Sequence, residues 1–523
     1  MRRDLFIDRI RSDDRLWDVI IIGGGATGLG AAVDAASRGY RTVLLEQSDF
    51  ASGTSSRSTK LIHGGVRYLR QGNLSLVREA LRERSRLFRN APHLVHNLKF
   101  ILPAYSRWET AFYGMGLKAY DLLAGRQTLG KSHLVSRART LNDLPGIESS
   151  GLRGSVAYHD GQFDDARLAV ALARTAVTHG AAVLNQVRVA GLLKANGKVT
   201  GVIARDLESG TEIRVSGHTV VNATGVYVDA IRRMDSPEIP TLVRPSQGIH
   251  LVIDRSLFPS RHALLIPKTT DGRVLFAVPW QGRVLLGTTD TPVPETVLEP
   301  FPSLSEIEYL INHAARYLEH RIKPSDVQGA FAGLRPLVQE RNEQDTAAIS
   351  RDHVVRIAKS GLITVAGGKW TTYRKMAEAA INTAAQVGGL EVRPCITANL
   401  PLHGWQAPTD DGETLQRYGS DRPFVKDMIG NVEGGQVPLH PELPYLKGEV
   451  YWAVRCEMAR TVSDVLVRRM PVLILHRKAA LECAPVVAQI MAQELERDQA
   501  WVEAQIDAIK RQAAACVPAP YGA

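Results

Sequence analysis

Asp18-Val19-Ile20-Ile21-Ile22-Gly23-Gly24-Gly25-Ala26-Thr27-Gly28 is the stretch that decides the fold. Its apolar first half predicts a buried parallel strand, and its glycines have the G-x-G-x-x-G spacing of a dinucleotide-binding turn. A helix is expected over 29–38, with its N-terminus toward a pyrophosphate. A second strand over 43–45 ends at Glu46, which is placed to hold a ribose hydroxyl. The stretch therefore predicts an adenine dinucleotide site.

Strand–glycine turns return at 219–225 and 362–369, where ligands bind in parallel sheets. A sheet revisited by distant segments predicts an α/β fold with a discontinuous Rossmann-like domain. Strand-like stretches and a hairpin signal at Gln281-Gly282 predict an antiparallel, β-rich substrate or cap domain. Apolar residues at helical spacing from Val450 onward predict a C-terminal α-helical domain. The expected bounds are 15–70, 155–240 and 335–385 for the dinucleotide domain, 71–154 and 241–334 for the cap, and 400–515 for the helical domain.

Charge and composition exclude only some classes of binding partner. The 523 residues carry a formal net charge of +10, and 44% of them are hydrophobic, as in an ordinary globular protein. A basic chain suits an anionic partner, whether a phosphorylated substrate, lipid headgroups or nucleic acid. No RNA-binding module is evident, so no nucleic-acid partner is predicted.

The four cysteines are scattered and lack metal-like spacing, so reduced thiols are expected and no metal site is predicted. The charged first residues do not resemble a signal peptide. Apart from the glycine fingerprint, no stretch is apolar enough to span a bilayer. A protein that is soluble or lies on a membrane surface is therefore expected.

Four further segments carry side chains suited to chemistry. Ala51 to Tyr68 is rich in glycine and hydroxylated residues; it contains His63 and Arg67 and is expected to face phosphate and ring atoms. The other segments carry Arg335 after Gly333-Leu334, Lys369 after Gly367-Gly368, and His250 at the start of a strand. The fork of an arginine suits phosphate, but a structural ion pair fits Arg335 equally well. The corresponding alternatives are a surface loop for the segment 51–68, a solvated lysine for Lys369 and a structural histidine for His250.

Together these motifs resemble the FAD-dependent glycerol-3-phosphate dehydrogenases, a branch of the D-amino-acid-oxidase-like flavoproteins. The resemblance spans roughly 18–496. Its motifs are Gly23 to Gly28, Thr54 to Tyr68, Asp164 to Leu168, Asn222 to Gly225, Gly287 to Asp290, Gly333 to Pro336, Gly367 to Arg374 and Glu457 to Leu466.

The resemblance implies non-covalent FAD and oxidation of sn-glycerol 3-phosphate to dihydroxyacetone phosphate, with hydride passing from C2 to flavin N5. It implies that Arg67 and Arg335 bind the phosphate, assisted by Tyr68. His63, Lys369 and His250 would surround the C2 hydroxyl, and one of them would take its proton. His63 and Lys369 rank ahead of His250 as the base. The residues expected to bind the cofactor are Gly23, Gly25, Gly28, Glu46, Thr54, Ser55, Ser56, Gly225, Gly368 and Thr372.

Members of such a family usually sit on a membrane and reduce quinone, which implies a cytoplasmic protein on the inner face of the cell membrane. The stretch 106–123 fits, because Trp108, Phe112, Met115, Ala119 and Leu122 recur at helical spacing among basic residues. The alternative is a stripe packed on the core.

Three other functions stay open: an oxidase that uses oxygen, an RNA-binding or RNA-modifying flavoprotein, and an NAD-dependent dehydrogenase. The C-terminal domain is expected either to form a homodimer contact or to brace the cap.

Overall fold

A computed structural model describes residues 1–13, 15–65, 73–339, 353–407 and 414–517. The strands are β1 (Trp17–Ile22), β2 (Thr42–Leu45), β3 (Leu61–Ile62), β4 (Val95–Ala104), β5 (His133–Ser136), β6 (Gly154–Phe163), β7 (Ala182–Leu184), β8 (Val187–Ala195), β9 (Lys198–Asp206), β10 (Glu212–Asn222), β11 (Val243–Asp254), β12 (Ala263–Ile266), β13 (Leu275–Trp280), β14 (Arg283–Gly287), β15 (Thr291–Pro292), β16 (Val327–Val338), β17 (His353–Ile357) and β18 (Ile363–Gly367). The α-helices are α1 (Arg3–Ser12), α2 (Ala26–Ser37), α3 (Leu74–Asn90), α4 (Arg107–Ala124), α5 (Arg137–Asp143), α6 (Asp165–Thr178), α7 (Val228–Asp235), α8 (Leu304–Ala314), α9 (Tyr373–Val387), α10 (Arg422–Asn431), α11 (Lys447–Glu457), α12 (Val472–Leu475), α13 (Arg477–Glu494) and α14 (Gln499–Cys516).

The first sheet has 8 strands, and its path runs β17-β18-β10-β1-β2-β7. Strand β1 pairs in parallel with β10 and β2, and β10 pairs in parallel with β18. Helices α2, α6 and α9 cover one face of this sheet, and α1 with the β8–β9 meander covers much of the other. A strand buried on both faces needs an apolar run, which β1 has. The predicted Rossmann-like sheet and its returning strands are confirmed.

Helix α2 begins at Ala26, three residues earlier than the expected 29–38. Gly25 is its N-cap, so the first turn of the helix lies inside the glycine fingerprint. This places the helix N-terminus directly at the carboxyl end of β1, where a phosphate would meet it.

The second sheet has 10 strands and is antiparallel at every described pair except β12–β4. The predicted hairpin joins β13 to β14, and its turn residues Gln281 and Gly282 both have positive φ, 45° and 79°. Two consecutive positive φ values match the twist of a two-residue hairpin. The predicted β-rich region is confirmed.

Strand β6 belongs to this second sheet, because it pairs along its whole length with β4 and also contacts β3 and β5. The expected bounds had placed 155–163 in the dinucleotide domain. Its apolar pattern does not reveal which sheet a strand joins, since the partner is remote in sequence. In terms of sheet membership, the chain returns to the first sheet after Phe163.

The C-terminal helices α11, α13 and α14 pack on each other and on the second sheet, which confirms the predicted helical region. The apolar residues at helical spacing across Val450–Leu466 do not belong to one continuous helix, however. Met458 has a left-handed backbone (φ 58°) and ends α11, and a π-helix follows at Asp464–Arg469. That π-helix carries Arg468 and Arg469, which are buried and pair with Asp49 beyond β2.

Helix α4 carries the stripe predicted over 106–123. Trp108, Met115 and Leu122 are 72%, 63% and 83% exposed, so these side chains do not pack on the core. The buried face of α4 carries Leu117 and Tyr120 instead. None of the helices in the described part of the chain is both long and apolar enough to cross a membrane.

Candidate active site

The glycine turn after β1 is built for close backbone approach. Gly23 has φ 109°, and a Cβ at Gly28 would lie 1.9 Å from the carbonyl oxygen of Gly23. A side chain at either position is therefore excluded by backbone. Gly28 acts in helix packing and does not line the cavity described below, whereas Gly23 and Gly25 do.

Glu46 lies at the end of β2, and its carboxylate accepts hydrogen bonds from the amides of Gly24 (2.6 Å) and Ser48 (2.8 Å). Burial raises its pKa, and the two amide donors oppose that rise. The carboxylate lines the cavity next to the glycine turn. An acid held in this place can accept hydrogen bonds from ribose hydroxyls, and its role there stays a prediction.

The short helical turn Thr54–Ser56 closes over the N-terminus of α2. The Ser55 hydroxyl accepts a hydrogen bond from the Ala26 amide (3.0 Å), and the Thr54 hydroxyl donates to the carbonyl of Leu334 (2.5 Å). Thr54 and Ser55 line the cavity, but Ser56 is buried behind them and does not.

A cavity of about 1240 Å³ extends from Glu46 to Lys369. The predicted site residues in its lining are Gly23, Gly25, Glu46, Thr54, Ser55, His63, Gly225, His250, Arg335, Gly368 and Lys369. Segments far apart in the sequence thus meet in one space that borders both sheets. Arg67 and Tyr68 lie outside the described residues.

Lys369 enters the cavity wall after a tight turn at the end of β18. Gly367 and Gly368 have φ values of 79° and 76°, and a Cβ at Gly368 would lie 2.2 Å from the sulfur of Met376. Thr372 is buried and donates to the carbonyl of Lys369 (3.3 Å), so its hydroxyl supports this turn and does not line the cavity.

His250 is a buried residue at the centre of β11. Its Nε2 is 2.9 Å from the Thr59 hydroxyl, and its ring stacks on Phe331 with centroids 4.8 Å apart. Burial, followed by the positive charges of Arg335 and Lys60, lowers its pKa well below the ordinary value of 6.5. The imidazole is therefore neutral at physiological pH and weakly basic.

Arg335 lies on β16 and reaches the cavity across β11. Its guanidinium donates to the Thr288 hydroxyl (3.0 Å) and lies 3.5 Å from a carboxylate oxygen of Asp290. A Cβ at Gly248 would lie 2.2 Å from the guanidinium, so only glycine lets it pass. The side chain is 24% exposed and lines the cavity.

Among the polar cavity residues that were not predicted as site residues are Thr59, Asp160 and Thr288. Thr59 and Thr288 lie inside motifs that carried the family resemblance, so that signal could have found them. Asp160 lies inside β6, in Tyr158-His159-Asp160, and has no such signal, because its position depends on the pairing of β6.

The family comparisons agree with this geometry. The FAD dependent oxidoreductase model matches residues 18–374, and the model of the C-terminal domain of alpha-glycerophosphate oxidase matches residues 363–502. The glycine turn, the carboxylate of Glu46 and the long cavity between the two sheets fit a dinucleotide such as FAD. Fold and site thus define an FAD-dependent oxidoreductase, with FAD as its cofactor.

Relatives narrow the class. The probable mitochondrial glycerol-3-phosphate dehydrogenase of Caenorhabditis elegans is 41% identical over 97% of this chain and 74% of its own length. The mitochondrial enzyme of Homo sapiens is 40% identical, over 95% and 73%. The crystal structure of the Bacillus halodurans glycerol-3-phosphate dehydrogenase, complexed with FAD, superposes with a TM-score of 0.82 at 30% identity and covers 99% of this chain and 98% of that one. The chain belongs to the FAD-dependent glycerol-3-phosphate dehydrogenase family.

Proposed function

We propose that this protein oxidises sn-glycerol 3-phosphate to dihydroxyacetone phosphate and passes the electrons to quinone at a membrane surface. The observation that carries the proposal is the convergence of Arg335, His250, His63 and Lys369 on the cavity that also contains the dinucleotide cradle. When bound, FAD supplies the hydride acceptor. The protein supplies binding, orientation and a proton acceptor.

The cofactor would be held by the turn at Gly23 and Gly25, the carboxylate of Glu46 and the hydroxyls of Thr54 and Ser55. The N-terminus of α2 favours the pyrophosphate through its free amides and dipole. Gly225 and Gly368 would allow close approach of the backbone on the other side of the cavity.

The substrate phosphate would be bound by Arg335, with Arg67 as its proposed partner. A planar guanidinium suits bidentate contact with phosphate oxygens. The geometry at Thr288 and Asp290 supports this role, because it holds the arginine in one orientation at the cavity wall.

The hydroxyl proton on C2 must leave as hydride departs from the same carbon. The low pKa of His250 makes it a weak base, which supports a role as a hydrogen-bond partner of the substrate. We therefore propose His63 or Lys369 as the proton acceptor. For Lys369 this would need a lowered pKa in the substrate complex.

Membrane association is proposed for the exposed face of α4. We define the α4 patch as Trp108, Phe112, Met115 and Leu122, all exposed. Large exposed apolar side chains on one helix face suit insertion into a headgroup layer. The basic chain supports attachment to anionic lipid on the cytoplasmic side. Two further statements remain predictions: that the protein has no nucleic-acid partner, and that it forms a homodimer.

The proposal is tested by anaerobic reduction of the FAD-loaded protein. Addition of sn-glycerol 3-phosphate should bleach the oxidised flavin band, and glycerol should not. If the band persists with sn-glycerol 3-phosphate, the substrate assignment is wrong.

The second candidate is an oxidase, favoured by the match to the C-terminal domain of alpha-glycerophosphate oxidase. Mixing the reduced protein with a short-chain quinone in one sample and with air in another separates the two. Fast reoxidation by quinone and slow reoxidation by air is expected. Fast reoxidation by air with peroxide release would establish the oxidase.

A further inference from the structure

A buried charged network lies directly behind His63. The carboxylate of Asp160 on β6 accepts hydrogen bonds from Arg84 (2.6 Å), from the Tyr120 hydroxyl (3.1 Å) and from the backbone amide of Gly64 (3.2 Å). The residues Asp160, Arg84 and Tyr120 are each at most 2% exposed. The Asp160 carboxylate thus links helices α3 and α4 by hydrogen bonds to the peptide unit that follows His63.

Close packing reinforces the same link. A Cβ at Gly64 would lie 2.2 Å from the Tyr120 hydroxyl and 2.5 Å from a methyl of Leu81. On the other side of this segment, the Thr371 hydroxyl donates to the carbonyl of His63 (3.3 Å). The His63-Gly64 peptide is therefore held between Asp160 and the turn that carries Lys369.

Burial of the charged Asp160 carboxylate is unfavourable in free energy, which indicates that this carboxylate has a specific role. Burial raises the pKa of Asp160, and the charge of Arg84 opposes that rise. A buried ion pair contributes little to net stability when compared with apolar packing. It does impose direction, because a carboxylate must point its oxygens at its donors.

We propose that Asp160 is a positioning residue that fixes the His63-Gly64 backbone, and so the direction of His63, through hydrogen bonds oriented by Arg84 and Tyr120. The inference rests on the proposed function, since it assumes that His63 acts on the substrate. Asp160 itself would not touch the reacting atoms. Its effect would therefore appear in turnover more than in substrate affinity.

The first test compares Asp160→Asn with Asp143→Asn in the FAD-loaded protein. Asp143 is a matched control, because it is also buried and paired with a cation (Lys99, 2.7 Å) but does not line the cavity. For Asp160→Asn we expect kcat to fall about 10- to 100-fold, since small displacements of reacting groups have such effects. The KM for sn-glycerol 3-phosphate and the FAD content should stay within about threefold of wild type, because the phosphate and dinucleotide contacts lie elsewhere.

The outcomes are distinguishable. If the wild-type flavin is not reduced by sn-glycerol 3-phosphate, the proposed function fails. If wild type is active and Asp160→Asn keeps the kcat of Asp143→Asn, the positioning role alone is wrong. A loss confined to KM would also overturn it.

A second set of variants avoids removal of the buried charge. Gly64→Ala should lower kcat by about tenfold or more, because the new methyl meets Tyr120 and Leu81 and pushes the peptide away. The double variant Gly64→Ala/Leu81→Ala removes the leucine contact and keeps the hydrogen bond from Tyr120 to Asp160, so it should recover part of the lost kcat. A merely structural role predicts two additive losses in thermal stability and no recovery of kcat; that result would overturn the proposal.

Discussion

At the scale of single residues, Arg335 is the described cation with the strongest claim to the substrate phosphate. Arg335→Met should raise the KM for sn-glycerol 3-phosphate by about 30-fold or more, since truncating one partner of a charged hydrogen-bonded pair costs about 2–5 kcal/mol. FAD affinity should stay unchanged. The measurement is steady-state kinetics with a quinone analogue as acceptor.

Arg283→Met is the matched control for this change. Arg283 is similarly exposed, at 23%, and also pairs with a carboxylate (Asp254, 3.0 Å), but it does not line the cavity. An unchanged KM in Arg335→Met, or an equal rise in the control, would rule out the phosphate role.

At the scale of elements, the β1–α2 turn depends on the absence of side chains. Gly28→Ala should weaken FAD binding by more than about tenfold, because its methyl would meet the Gly23 carbonyl and move the first turn of α2 off the phosphate position. Gly430→Ala on α10 is the control, since a Cβ there has no atom within 4 Å. FAD titration of the apoproteins measures both; equal dissociation constants would contradict the packing argument.

The α4 patch makes the second prediction for an element. Trp108→Ser/Leu122→Ser, at two patch residues that do not line the cavity, should reduce binding to anionic lipid vesicles by about tenfold or more, because each large apolar group that leaves water contributes about 1.5–3 kcal/mol. Turnover of sn-glycerol 3-phosphate with a water-soluble acceptor should be retained. Co-sedimentation with phosphatidylglycerol vesicles measures the first quantity.

Phe424→Ser tests whether any exposed apolar residue has this effect. Phe424 is 65% exposed on α10, outside the patch. Equal loss of vesicle binding in this control, or undiminished binding in the α4 variant, would remove α4 as the membrane surface.

At the scale of the whole molecule, buried ion pairs join the C-terminal helices to the first sheet. Glu457 on α11 forms a two-point pair with Arg167 on α6 (2.6 and 2.8 Å), and Asp49 pairs with Arg468 and Arg469. Burial alone would raise the pKa of both carboxyls, but the neighbouring guanidinium groups outweigh it and lower both values to about 2.

These lowered pKa values predict how stability depends on pH. The ordinary pKa values are 3.8 for Asp49 and 4.5 for Glu457. The two carboxyls therefore release their protons more readily in the folded protein than in the unfolded chain. The resulting stability is present above about pH 5 and is lost as pH falls toward 2. Urea unfolding at several pH values should show this decline.

Glu457→Gln should lower the free energy of unfolding at pH 7 by about 3–5 kcal/mol, because it leaves Arg167 buried beside an uncharged partner. Its acid dependence should be shallower than that of wild type. Glu494→Gln is the control: Glu494 pairs with Arg455, which is 47% exposed, so about 1 kcal/mol or less is expected. Parallel pH curves for Glu457→Gln and wild type would refute the assignment.

Much of this architecture could be predicted because its signals are local. The apolar run of β1, the glycine spacing after it and the Gln281-Gly282 turn each specify backbone conformation within a few residues. The placement of His63, His250, Arg335 and Lys369 in one cavity was also predicted, but there the family resemblance supplied what spacing alone left open.

By itself, the sequence determined the class of sheet, the dinucleotide turn and the residues suited to phosphate and proton chemistry, since these follow from periodicity, steric freedom and charge. Only the tertiary structure decided that β6 joins the second sheet, that Ser56 and Thr372 turn away from the cavity, and that Asp160 holds the peptide beside His63. Those outcomes depend on pairing between segments remote in the chain. Such pairing is selected by the packing of the whole molecule, and a local pattern does not encode it.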